Sequence, residues 1–468
     1  MTDIIGAEQT SDRWSRIFSR REMLKRTGTG FGMLGLGSLL ASQTQAAATQ
    51  VVDASNPLAP RAPHFPPRAK HVIFLFMNGG PSHVDTFDYK PGLKENEGKS
   101  GRGGKFMPSP FAFSKHGECG MEISELFPHL SHHADDLCVI RSMHTTTPNH
   151  EPGLFMMNSG AQQPIRPSLG SWLTYGLGSE NQNLPGYVVL CPGKPVVGPA
   201  LWGNSFLPGI YQGTHINNSR IDPKQVIGHL NNKHLATPEQ RKVLDLLQAM
   251  NEKHLAVRGQ DLELEARIAS LEMAFRMQFE AQDAFDIGLE SSTTKTLYGE
   301  GEFANGCLIA RRLVERGVRM VQLYYGAGQP WDAHGDIMDH KRDALKSDQA
   351  IAGLLADLKS RGMLEETLVL WGGEFGRTPT AQGAKGRDHH NTGFTVWMAG
   401  GGVKGGLTYG ATDEVGVNAV ENRMDVHDLH ATILHLMGLD HTKLTFRYSG
   451  RDFRLTDVHG SVTTALLS

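Results

Sequence analysis

His71-Val-Ile-Phe-Leu-Phe-Met77 is apolar throughout after its histidine and breaks into Asn78-Gly79-Gly80-Pro81. An unbroken apolar run closed by turn residues is how a strand buried on both faces reads, the usual state of a strand in a parallel sheet. Outward from it the same punctuation recurs. A second run, Leu137 to Met143, ends at His144-Thr145-Thr146-Thr147. Residues 304–316 have a helical pattern closed by Gly317 and are followed by a strand from Val318 to Tyr325. A helix from about Asp343 to Ser360 stops near Gly362 and feeds a strand from Thr367 to Trp371. The strand Phe394 to Ala399 and a helix from about Asp428 to Met437, closed by Gly438, complete the series. Strands alternating with helices predict an α/β fold, a mostly parallel central sheet covered by helices in a three-layer sandwich.

Between 237 and 290 the pattern changes to one long helical insertion. Thr237-Pro238-Glu239-Gln240 is a helix start, with threonine as cap, proline in the first turn and glutamine closing the box. Leu264, Ile268, Leu271 and Phe275 then form one apolar stripe. The segment carries no chemistry and is expected to be a helical hairpin against the sheet, or an oligomer contact. No internal repeat is present.

Ahead of the first strand, Ser19-Arg20-Arg21-Glu22-Met23-Leu24-Lys25 is the pattern read by the twin-arginine translocase. A glycine-diluted apolar stretch to Leu40 and a small-residue segment, Ala41 to Ala48, complete a signal peptide over residues 1–48. The stretch is too short and too rich in glycine to span ~30 Å of hydrocarbon, and no later segment is apolar for long enough to form a stable membrane span. The expectation is export to the periplasm or beyond through the Tat translocase. Residues 49–69, rich in alanine and proline, read as a linker, leaving 70–468 as the folded domain. A net charge of −3 and a pI near 6.7 give no general attraction to nucleic acid. Cys119, Cys138, Cys191 and Cys307 have no CxxC spacing, and read as buried thiols with at most one disulfide rather than a metal knuckle.

Chemistry gathers just past strand ends, where parallel α/β sheets place their functional groups. His83 and Asp85 follow the first strand. Trp331-Asp332-Ala333-His334-Gly335-Asp336, with His340 beyond, follows the strand ending at Tyr325. Gly373-Glu374-Phe375-Gly376-Arg377 follows Trp371, and Arg387-Asp388-His389-His390 precedes the strand at Phe394. A lone histidine is ordinarily solvated or caps a helix, but four such clusters at strand ends point to a shared site. Mixed imidazole and carboxylate suit zinc, manganese or iron, and carboxylate alone suits magnesium or calcium. Thr145 and Thr146 are the hydroxyl nucleophile candidates, next to a helix start whose free N–H groups favour an anion.

Met77-Asn-Gly-Gly-Pro-Ser-His-Val-Asp-Thr-Phe-Asp88, Trp331-Asp-Ala-His-Gly335, Gly373-Glu-Phe-Gly-Arg-Thr-Pro379, Gly386-Arg-Asp-His-His-Asn391 and Gly450-Arg-Asp-Phe-Arg-Leu-Thr456 together resemble the DUF1501 family, exported bacterial proteins abundant in planctomycetes. That family looks like a branch of the alkaline phosphatase and sulfatase superfamily. Thr367 to Gly376, His389 to Lys404 and Asp425 to Leu439 are similar to sulfatase segments, and Thr145 to His150 is similar to the Thr-x-Pro-Asn-His nucleophile segment of nucleotide pyrophosphatases.

The resemblance implies an alkaline phosphatase-like fold and a metal-dependent hydrolase of phosphate or sulfate esters, on a small molecule or a polysaccharide. The nucleophile is Thr146 or Thr145, with Arg377 assisting and Asn149, His150 and Arg387 as substrate contacts. The metal is a divalent ion, zinc ahead of manganese, iron or calcium, with one or two ions. Asp332, His334 or His340, and His389 or His390 hold one ion, and Glu374 with His83 or Asp85 holds the other. Two departures stand out. Asn78 replaces the superfamily's aspartate after strand one, and Glu374-Phe375 replaces an aspartate-histidine pair. They favour one ion over two, and they keep open an alternative class, a non-catalytic metal-binding protein of the cell envelope. No Cys-x-Pro-x-Arg is present, so a formylglycine sulfatase is disfavoured.

Overall fold

The computed structural model describes residues 56–219, 235–258 and 262–468. The signal-peptide reading of residues 1–48 lies outside them. Among the described residues no helix is long and apolar enough to cross a membrane.

The run that opened the sequence is strand β1, His71–Phe76, buried at every position. It is central in a nine-stranded sheet. The other strands that matter here are β2 (Leu137–His144), β3 (Tyr187–Leu190), β4 (Thr214–Ile216), β5 (Met320–Tyr324) and β6 (Thr367–Gly372), with β9 (Phe394–Ala399) and β10 (Leu407–Tyr409). Their order is β10-β2-β9-β6-β1-β5-β3-β4, and the short strand β11 (Met424–Asp425) also pairs with β2. β1 runs parallel to β6 and β5, in register from His71 opposite Thr367 to Phe76 opposite Gly372. β9 alone is antiparallel to its neighbours, β6 and β2. Its N-terminal end therefore lies at the edge where the parallel strands have their C-terminal ends.

Helices cover both faces, and β5 shows how. Gln322 and Tyr324 point to one face, where they bond to Asn158 of helix α1, His150–Ser159. Leu323, between them, points to the other face and packs on Gly306 of α5, Glu302–Glu315, where a Cβ would stand 2.6 Å from it. Helix α2 (Leu169–Leu177) shares α1's face through Gly170 against Tyr187. Helix α6 (Asp339–Ser360) packs with α5, and α7 spans Val426–Leu436.

One element is absent from the sequence reading, and two readings are corrected. Gly376–Gln382 and Gly386–His390 form the strands β7 and β8 of a hairpin, Arg377 opposite His389 and Gly376 opposite His390. Residues 56–69 are not free linker. The Arg61 N–H donates to the Leu177 carbonyl, His64 to Gly438, and Arg68 and Ala69 to Leu436, so the stretch is bonded along the body. The insertion does form two helices, α3 (Thr237–Arg258) and α4 (Leu262–Phe285), but the cap is Ala236, whose N–H bonds to the Glu239 carboxylate at 3.1 Å. α4 joins the body through Glu280, bonded by Asn181 and Asn183, and through the Asp283 and Ala284 carbonyls, which accept from Arg312 of α5. Its partners there are a loop and a helix rather than the sheet. All four cysteines are free thiols, with only Cys119 exposed.

Candidate metal centre

Four connections meet beyond the C-terminal edge of the sheet. The β2–α1 link delivers Thr145 to His150, the turn after β1 delivers Gly79 and Gly80, and the β5–α6 link delivers Asp332 and His334. The β7–β8 hairpin, entering antiparallel β9 from this same edge, delivers Arg377 and His389. Gly79 makes the approach possible: its φ is +115°, and a Cβ there would sit 2.6 Å from the Asp332 nitrogen. Gly386 does the same for the hairpin, lying against the His334 carbonyl where no side chain fits.

Among the described residues, one group of potential ligands converges. His150, Asp332, His334 and His389 each bring one ligand atom within 4.8 Å of the other three. His334 Nε2 lies 2.8 Å from His389 Nε2 and 2.9 Å from Asp332 Oδ1. His389 Nε2 is 3.4 Å from Asp332 Oδ1, and His150 Nε2 is 3.4 Å from Asp332 Oδ2. Ligand atoms on one tetrahedral ion, each at ~2.0–2.2 Å, stand roughly 3.3–3.6 Å apart, so the group fits a single ion with little movement. His150 Nε2 is moreover buried with no hydrogen-bond partner.

The outer contacts point the same way. His150 Nδ1 donates to Glu374 Oε1 at 2.6 Å, and His334 Nδ1 bonds to Gln382 Oε1, which turns the Nε2 lone pair of each ring toward the others. Glu374 is itself fixed by the Gly79 N–H, at 3.0 and 3.2 Å from its two oxygens. Burial works to raise the Asp332 carboxyl, but the His150 and His389 rings beside it and the Arg377 charge outweigh it and hold the group well below the usual carboxylate range. For His150, burial lowers the pKa, and the Asp332 carboxylate beside it and the bond to Glu374 reverse this to a net rise. The centre opens on the side of His334, whose side chain is 37% exposed against 11% for His150.

The other residues singled out in the sequence are engaged elsewhere. Arg377 and Arg387 are fully buried rather than facing an anion. Arg377 donates to the Gly79, Gly80 and Arg387 carbonyls and, at 2.5 Å, to Asp332. Arg387 holds Asp85 through Nε at 2.6 Å and Nη2 at 3.2 Å, and also donates to the Thr378 and Met107 carbonyls. Asp85 is thereby committed to an ion pair. His340 Nε2 accepts from the Ser82 N–H at 2.9 Å in a site that pushes its pKa down to about 3 by burial.

His390 follows His389 on a strand, so its ring points to the opposite face, where it bonds to the Val417 carbonyl at 2.5 Å and stacks 5.7 Å from His83. His83 bonds to the Gly416 carbonyl at 2.8 Å. His150, read as a substrate contact, stands instead among the ligand atoms, at the first position of α1 after Asn149. Phe375 packs its ring 4.9 Å from those of His150 and His389. Asn78 donates its amide N–H groups to the Gly326 and Gly328 carbonyls, and its Oδ1 is buried without a partner.

The model for "Protein of unknown function (DUF1501)" matches residues 69–467. The chain belongs to the DUF1501 family. No curated protein matches it. Three solved structures similar to this DUF1501 chain are the PsFucS1 sulfatase from Pseudoalteromonas sp., the phosphonate monoester hydrolase SpPMH from Silicibacter pomeroyi, and the TAB5 alkaline phosphatase mutant His 135 Glu with magnesium bound. The first is 15% identical, covering 86% of this chain and 72% of that one, at a TM-score of 0.35. The second is 13% identical over 67% and 68%, at 0.31. The third is 11% identical over 71% and 92%, at 0.30.

Proposed function

We propose that this DUF1501 protein is a metal-dependent hydrolase of phosphate or sulfate esters that works outside the cytoplasm. One observation carries the reading: three imidazoles and one carboxylate from four segments bring their ligand atoms together with their outer contacts already made. His150, Asp332, His334 and His389 would hold one divalent ion, and this donor set suits zinc, manganese or iron. When bound, such an ion polarises an ester oxygen and lowers the pKa of a hydroxyl. Both Glu374 oxygens already accept hydrogen bonds from the Gly79 N–H and the His150 ring, which supports one ion rather than two.

Of the two threonines, Thr145 is the better nucleophile. Its N–H donates to the Asn391 carbonyl at 2.9 Å, its carbonyl accepts from the Asn391 amide at 2.7 Å, and its hydroxyl is buried without a partner. The Thr146 hydroxyl is exposed and accepts from Gln162. The first-turn N–H groups of α1, which follows, favour the non-bridging oxygens of an anionic ester. Attack by Thr145 Oγ1 on phosphorus or sulfur breaks the bond to the alcohol, which leaves with the hydroxyl proton. Water then hydrolyses the threonyl ester and restores the hydroxyl.

The sealed guanidinium groups of Arg377 and Arg387 favour a second reading, a non-catalytic metal-binding protein of the envelope, because neither reaches an anion. Metal analysis of the mature protein, with assays on 4-nitrophenyl phosphate and 4-nitrophenyl sulfate, separates the two. The hydrolase shows about one ion per chain and activity that Thr145→Ala abolishes and Thr146→Ala spares. Metal without activity leaves the second reading standing, and a chain that takes up no metal after reconstitution sinks both. Export rests on Arg20-Arg21, and replacing both with lysine is expected to hold the precursor in the cytoplasm on fractionation.

A further inference from the structure

Strand β5 reads Met320-Val-Gln-Leu-Tyr324 and is buried throughout, which makes Gln322 a polar group in the middle of an apolar layer. A buried amide is tolerated only with its partners supplied. Gln322 Oε1 accepts from the Tyr187 hydroxyl at 2.5 Å. Its Nε2 donates to Asn158 Oδ1 at 2.7 Å and to the Tyr324 oxygen at 3.2 Å, and the Tyr324 hydroxyl in turn donates to Asn158 Oδ1 at 3.4 Å. Asn158 is held in its own helix by a bond to the Leu154 carbonyl. None of the four side chains belongs to a residue more than 3% exposed.

This closed network ties β3 and β5 to the third turn of α1, and α1 begins with His150. Its first turn rests on the site side, where Gly153 lets Phe375 and Glu374 approach to 3.1 and 3.5 Å of where a Cβ would stand. A contact of that kind resists compression but not sliding or rotation of the helix. The bonds at Asn158, roughly 12 Å along the axis from His150, are directional and tie the helix to the sheet itself, while His430 Nε2 on the Met157 carbonyl and His427 Nε2 on the Gly160 carbonyl tie its C-terminal end to α7.

We propose that Gln322 and Asn158 are positioning residues of the metal centre: they fix α1 so that His150 Nε2 meets the ligand atoms of Asp332, His334 and His389. The inference rests on the metal reading above but not on hydrolysis. Its test is zinc affinity, measured by competition with a chromophoric chelator on folded full-length protein. Gln322→Leu is expected to raise the zinc dissociation constant roughly 10–100-fold, as loss of an outer support does. Asn158→Leu should do the same, and the double variant should add little to the larger single effect because both act through one network. Trp172→Phe, a buried change in neighbouring α2, should lower the melting temperature and leave zinc affinity alone.

Zinc bound by Gln322→Leu within twofold of wild type overturns the inference, as does an equal loosening by Trp172→Phe. If Gln322→Leu does not fold, Tyr324→Phe removes one hydroxyl at nearly constant volume, and unchanged affinity there overturns it equally. Wild-type protein that binds no zinc sinks the metal centre itself, whereas zinc without ester cleavage sinks only the hydrolase.

Discussion

The candidate metal centre and the arginine–aspartate pair behind it are built from the same residue types, at the same edge of the sheet, in opposite states. In the first, His150, Asp332, His334 and His389 are part exposed, and His150 Nε2 has no hydrogen-bond partner. In the second, Asp85 and Arg387 are wholly buried, and the carboxylate takes bonds from Arg387 and Ser82. His83, His340 and His390 share the sealed side, each with one ring nitrogen in a protein hydrogen bond, while Nδ1 of His83 and of His340 is buried without a partner. A ligand site needs lone pairs that the protein has not used, while a buried scaffold needs every charge compensated. Residue type does not separate the two regions; what does is that, among the described residues, potential ligand atoms converge only in the first.

The largest expected effect breaks the sealed side. Asp85→Ala strands the Arg387 guanidinium in a dry interior, and losing one partner of such a pair costs about 3–5 kcal/mol. Urea unfolding should show that loss, if the variant accumulates at all. A stable Asp85→Ala protein that no longer binds zinc would reverse the assignment and make Asp85 a ligand.

Next comes the pair that separates the two regions by one residue. His389→Ala should weaken zinc binding by at least about 100-fold, beyond what an outer-shell change does, with little loss of stability in metal-free protein. His390→Ala should cost about 1–3 kcal/mol, the usual price of a buried deletion, with zinc retained. The opposite outcome would mean that the β7–β8 register runs one residue out of step.

How far the sequence foretold this follows from which signals are local. The long strands were legible because burial on both faces makes them unbroken apolar runs, and β9 was located to the residue. Strands β3, β4 and β10 span only three or four residues each, too few for a pattern. The β7–β8 hairpin was not legible at all. Gly-Arg-Thr-Pro-Thr-Ala-Gln has no strand composition, and its pairing is sustained by two buried arginines that bond to backbone carbonyls. Without the hairpin, the choice between His389 and His390 had no basis, since only strand alternation separates them. His150 was found as a residue but read as a substrate contact, because its neighbours Thr145 to Asn149 suggested substrate; the structure places it among the potential ligand atoms. What redirects it is Glu374, 224 positions away. Gln382 carried no signal, being one amide at the end of β7 before a glycine-containing turn.

The smallest effect, per group, is a titration. Burial pushes His340 down to about 3 and His430 down to about 4, while in the unfolded chain each titrates near ~6.5. Between those values the unfolded chain binds a proton that the folded chain refuses, so stability is complete above ~6.5 and falls as pH drops. Each such histidine contributes about 1.4 kcal/mol per pH unit to that slope. Asp85 is held low because the Arg387 charge and bonds outweigh the upward push of burial, so it adds its own loss only below about pH 4. Urea unfolding of metal-free protein between pH 7.5 and 5, with chelator present so that metal release adds no pH dependence, should therefore show destabilisation beginning near 6.5. His340→Gln keeps an acceptor for the Ser82 N–H and removes one titrating ring, so it should flatten the slope by about 1.4 kcal/mol per unit. An unchanged slope would mean that His340 already meets solvent in the folded state, and the boundary between the sealed side and the open one would have to move to include it.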